Sequence, residues 1–233
     1  MAQKSQKNYL EESLRHQKAR DIMGPDFFGI PELEDLLGPI PDKIKKELDV
    51  VPFPTEMLQK AVGNYYLVAN PGFHINDIWN MSHQRLGRIF HMFMWPDVTR
   101  SDRSPTWFLF SKRILPESVG KYWPHVNEKI GSVEIKRLVE SDRIYAYVHD
   151  NPSTQLVVLM AFLIKTTKDE SLFPLSQAVS TNDGAKVRFE KHQDDSIILN
   201  IERFGWNRWV PDKPYPDHFE ADTGVMPVIF SRY

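Results

Sequence analysis

From Ser176 to Phe204, apolar and polar residues alternate around two short polar clusters, and a period of two restricts such a segment to paired strands with one buried face. Val187, Phe189 and Lys191 fall on one side of a strand, with Lys186, Arg188 and Glu190 on the other. Ile197, Leu199 and Ile201 repeat the pattern against Ile198, Asn200 and Glu202. Gln193-Asp194-Asp195 supplies one polar reversal, and Asn182-Asp183-Gly184 supplies another whose glycine suits the positive φ of a tight hairpin. The spacing predicts a three-stranded antiparallel meander over 176–181, 185–192 and 196–204.

Such a meander needs something apolar to lie on, and the segment just before it provides it. Leu156 to Ile164 is apolar at every position, so periodicity cannot separate strand from helix there and length must decide. With Thr154, Gln155, Lys165 and Thr166 the segment reaches helical length, and Asn151-Pro152-Ser153-Thr154 supplies a polar cap. A buried helix packed on the meander is the expectation. Upstream, Thr55 to Val62 reads as a helix, Asn64 to Ala69 as a buried strand ended by Pro71-Gly72, and Trp107 to Phe110 as another buried strand. Ile75 to Trp79 and Leu86 to Phe93 are dense in apolar residues with neither period dominant. Ser118 to Ile130 carries a helical stripe, 133–148 fits two strands or a helix and a strand, and 96–105 is a loop. Val225 to Phe230 reads as a last strand, and Pro227 would place it at a sheet edge because proline cannot donate to the ladder.

The N-terminal 1–50 reads as an arm: a helix over 4–22 without a wide apolar face, then a stretch broken by Pro25, Pro31, Pro39 and Pro41 with short helical pieces at 31–37 and 42–48. The expected fold is α+β, with this helical, proline-rich arm and a single domain over 51–233 that ends in the meander.

Several functions are excluded or disfavoured. The chain has no cysteine, which removes disulfides, thiolate metal sites and a cysteine nucleophile. Its 29 Lys and Arg nearly cancel 31 Asp and Glu, so net charge gives no argument for nucleic acid or for an anionic membrane. The nine-residue apolar run of 156–164 falls short of the roughly 20 residues that span a bilayer. Residues 1–20 carry charges of both signs with no apolar stretch of the secretory kind, and a cytoplasmic location is expected. No phosphate loop, dinucleotide fingerprint, His-Glu-x-x-His motif or Gly-x-Ser-x-Gly elbow occurs.

Three groups of residues carry candidate chemistry. Trp206, Arg208 and Trp209, just beyond the meander, would form an aromatic and cationic platform for a sugar or base if exposed, and core packing if buried. His218, Glu220 and Asp222 alternate, so an extended chain would present an imidazole and two carboxylates to a divalent metal, with His192, Asp194 and Asp195 as further ligands; a solvated acidic loop is the competing reading. His74, His83 and His91 share a region with Asp77, Arg85 and Arg88, but their spacing fixes no common face.

Two stretches, Tyr66 to Ile78 (YLVANPGFHINDI) and Trp107 to Ser118 (WFLFSKRILPES), are similar to an uncharacterised family of bacterial proteins. The resemblance covers about residues 51–209 and departs from the group after Ile78, where Trp79-Asn80 stand in place of a frequent basic residue. It implies a soluble bacterial or bacteriophage-like protein and assigns no activity. The expected function is a non-catalytic binding or interaction protein with a protein partner and no assigned cofactor. The alternative is a metal-assisted hydrolase or nuclease built on the His218, Glu220 and Asp222 cluster.

Overall fold

The computed structural model describes residues 14–86, 90–94, 104–120, 138, 146–149, 152–191, 197–203 and 222–231. In chain order these form β1 (Leu14–Arg15), α1 (His16–Met23), β2 (Phe27–Phe28), α2 (Ile30–Leu37), α3 (Asp42–Glu47), β3 (Val50–Val51), α4 (Thr55–Ala61), β4 (Tyr65–Asn70) and α5 (Ile75–Leu86). There follow β5 (Phe90–Met94), β6 (Thr106–Ser111), β7 (Ala146–His149), α6 (Thr154–Lys168), β8 (Ala178–Ser180), β9 (Ala185–Lys191), β10 (Ile197–Arg203), β11 (Thr223–Gly224) and β12 (Val228–Ser231). The fold is α+β.

Two five-stranded sheets carry it, ordered β2-β4-β6-β12-β7 and β11-β8-β9-β10-β5. The second contains the expected meander, with β8 antiparallel to β9 and β9 antiparallel to β10. Gly184, in the turn before β9, takes φ +80°, which an L-side chain disfavours. Two strands from far away in sequence extend the meander in parallel: β5 beside β10, and β11 beside β8. The dense apolar residues of 86–93 thus divide between the end of a helix and a sheet strand.

The apolar run is the helix α6, buried at every position from Thr154 to Ile164. It packs on α2, α5 and β9, with Phe162 meeting Trp79 of α5 at a ring separation of 6.0 Å. Its N-terminus is closed by the hairpin it supports. Ser153 accepts a bond from Leu156 N, while the Asp183 carboxylate accepts from Thr154 N at 3.2 Å and from its hydroxyl at 2.6 Å. A carboxylate there also complements the positive end of the helix dipole.

The first sheet corrects one expectation. β12 lies between β6 and β7, antiparallel to both, and is interior rather than an edge. Pro227 does not obstruct this, because it precedes the strand and contributes only its carbonyl, which accepts from Ser111 N at 3.0 Å. Gly224, just upstream, is required by close approach: a Cβ there would stand 2.3 Å from Ile114 Cγ2.

The segment after residue 14 also departs from expectation in detail. Leu14 and Arg15 form a strand and the described helix starts at His16, with Ala19 and Met23, four apart, buried. Residues 1–13 lie outside the described residues. Phe27, Phe28, Leu33, Leu36, Ile40 and Leu48 enter the same hydrophobic cluster as α6 and both sheets. The Leu48 carbonyl accepts from Trp107 Nε1 at 3.0 Å and bonds the His16 imidazole as well. Asp26, in a 3-10 turn at Gly24–Asp26, fastens the segment electrostatically: its carboxylate meets Lys112 Nζ at 2.5 Å and Lys168 Nζ at 3.2 Å.

Candidate functional site

The second sheet has two unlike faces, as the alternation requires. Val187 pairs with Ile201 and Phe189 with Leu199, and all four are buried on the face that meets α6. The other face carries Lys186 opposite Glu202, Arg188 opposite Asn200, and Glu190 opposite Ile198. Cross-strand neighbours stand about 4.5–5.5 Å apart at Cβ, close enough for long charged side chains to pair.

They do pair. Lys186 Nζ lies 3.0 Å from Glu202 Oε2, and its side chain is only 7% exposed. Arg188 reaches in the other direction. Ala178 of β8 is its cross-strand neighbour and pairs in turn with Thr223 of β11, so a methyl group alone separates Arg188 from the start of β11. The guanidinium Nη2 meets Asp222 Oδ2 at 2.8 Å. Asn200 Nδ2 donates to Glu190 Oε1 at 3.2 Å and to Glu202 Oε1 at 2.9 Å, holding two carboxylates on one amide. Glu190 meets no cation among the described residues; its partner is that neutral amide.

Asp222 is therefore placed by the structure, in an ion pair at the head of β11. The other members of the expected metal group, His218 and Glu220, lie outside the described residues, as do His192, Asp194 and Asp195. Trp206, Arg208 and Trp209 also lie outside them. The described chain leaves the second sheet at Arg203, the end of β10, and returns to it at Asp222, just before β11. Among the described residues, no group of three or more His, Asp or Glu is arranged to hold a metal ion. His74 acts as a local cap for α5, its Nδ1 accepting from Asn76 N at 3.2 Å. His83 belongs to α5, and His91 of β5 is in register with Ile198, so the histidines are distributed over separate elements.

Sequence reasoning put Lys186, Arg188 and Glu190 on one side of β9 but did not bring Asp222 to them. The contact spans 34 residues and crosses a strand, and no local period signals it. Among the described residues, the face offers two cations and three carboxylates, and one of these, Glu190, meets no cation. No known protein family, curated protein or solved structure matches the chain. No helix among the described residues is long and apolar enough to cross a membrane.

Proposed function

We propose that the chain is a non-catalytic binding protein that accepts a cationic group of a protein partner on the polar face of its second sheet. The observation that supports this is Glu190, a carboxylate that among the described residues is held by an amide and meets no cation, on a face whose other described charges are paired. General acid–base work needs a group free to exchange a proton beside its substrate. Lys186 is instead paired with Glu202 and Arg188 with Asp222, a state suited to holding a ligand in register. An incoming Lys or Arg would complete the pattern and exchange one ion pair with water for one with Glu190, a change worth little by itself and more in an extended interface.

Poly-L-lysine at low ionic strength is a direct probe. Its affinity is expected to fall several-fold in Glu190→Gln and to change much less in an Asp35→Asn control, which removes the same charge from an exposed helix position. Equal losses would reduce the effect to net charge and overturn the reading. The hydrolase alternative is tested in parallel by calorimetry with zinc, manganese and magnesium and by incubation with a chromogenic nitrophenyl phosphodiester. Heat of binding together with turnover that Asp222→Asn abolishes would replace binding by catalysis.

A further inference from the structure

A second cluster lies away from the polar face, where the start of β4, the end of β6, the 3-10 turn at Gly24–Asp26 and the last turn of α6 meet. Asp26 is buried there, its side chain 9% exposed, and two lysines address it: Lys112 through Oδ2 and Lys168 through Oδ1. One carboxylate neutralises one ammonium, so the arrangement carries one cation more than the pairing requires. Each ammonium has three donors and gives one to Asp26. The lysine side chains remain 23% and 24% exposed, so the remaining donors are within reach of solvent.

Both ammoniums also stand over the Tyr66 ring, 5.0 and 4.8 Å from its centroid, and Lys168 lies 5.9 Å from that of Phe28. The rings form an apolar floor that fixes the cations and limits their hydration, the condition under which a charge-assisted hydrogen bond gains strength. Burial, together with the negative charges of Asp26 and Glu170, pushes the Tyr66 phenol up to about 12. The floor is therefore neutral at physiological pH and sets no phenolate against an approaching anion.

We infer that Lys112 and Lys168, standing on Tyr66, form a binding site for an oxyanion, a phosphate or carboxylate group of a small molecule. The anion takes the donors that Asp26 leaves unused and occupies the open side of the pair. Asp26 has two effects on it: the carboxylate positions both ammoniums, and it competes with the ligand for their charge. Exposed Glu170 opposes binding too, at longer range and under solvent screening.

The test is calorimetric titration of the full chain at low ionic strength with inorganic phosphate and, separately, with acetate, which distinguishes a phosphate site from a carboxylate site. Saturable one-to-one binding of at least one of them is expected. Lys112→Gln and Lys168→Gln should each weaken it about tenfold, the loss of one charge-assisted bond. The double variant should abolish it. Asp26→Asn should bind more tightly than the wild type because the competing carboxylate is gone. If that variant does not fold, the single lysine variants, each of which keeps Asp26 paired, still decide the matter. Absence of saturable binding by either anion, or unchanged affinity in the double variant, would overturn the assignment.

Discussion

Replacing Asp26 by Asn keeps the volume of the side chain and removes the charge that two lysines share. In the native protein the carboxylate is nearly closed off from water, and it is approached at 2.5 Å by Lys112 and at 3.2 Å by Lys168. Removing one partner of a fully buried ion pair costs about 3–5 kcal/mol, because the other charge stays desolvated. Here the lysines are a quarter exposed and can turn partly to solvent, so we expect a smaller loss, about 2–3 kcal/mol. The lysines are not equivalent to Asp26 in this respect. Lys112→Met leaves the carboxylate with Lys168, and Lys168→Met leaves it with Lys112, so each single change should cost only about 0.5–1 kcal/mol, as for partly exposed pairs. The double lysine variant strands a buried carboxylate and should cost about 3 kcal/mol or more, well above the sum of the two singles. Urea unfolding followed by tryptophan fluorescence measures all four variants, provided the slope with denaturant is unchanged. Additive lysine effects, or an Asp26→Asn variant as stable as the wild type, would refute the claim that one carboxylate holds both cations.

Other outcomes follow from single contacts. Asp183→Ala removes the acceptor for Thr154 N and its hydroxyl, and should lower stability by about 1–2 kcal/mol in the same urea assay. Gly224→Ala places a methyl 2.3 Å from Ile114 Cγ2 and 3.0 Å from Ser118 Oγ, and should lower stability by about 1–3 kcal/mol, read as a fall in Tm. Tyr66, raised to about 12 in the folded chain against about 10 unfolded, holds its proton longer when folded, so its contribution to stability is complete below pH 10 and is lost as pH rises towards 12. Tyrosinate absorbance should show a component near 12 that is missing in Tyr66→Phe, and that variant should lose less stability across the interval.

Local order in the chain made the meander and α6 legible. A period of two in 185–191 and 197–203 can be satisfied only by strands with one buried face, and the turn glycine at 184 takes the positive φ that its setting implied. The unbroken apolar run of 156–164 became readable once length was set against period. What failed was pairing at a distance. Nothing in Phe90–Met94 says that it will lie parallel to Ile197–Arg203, and a proline two residues before Ile229 argued for an edge when the strand itself begins after it. The site residues divide the same way. Alternation and the meander placed Lys186, Arg188 and Glu190 beside Glu202, but Asp222, like the partners of Asp26 at 86 and 142 residues' remove, is joined by topology alone.

The closure of α6 by Asp183 bears on how the protein is made. The helix is complete in sequence at Lys168, and the carboxylate that closes its first turn follows 15 residues later. At a translation rate of about 5–20 residues per second, that leaves an apolar helix with Ser153 but without Asp183 at its N-terminus for about 0.75–3 s. During that time its apolar face has no hairpin to cover it, so the hairpin that buries the helix also completes its cap, and the two events are one step.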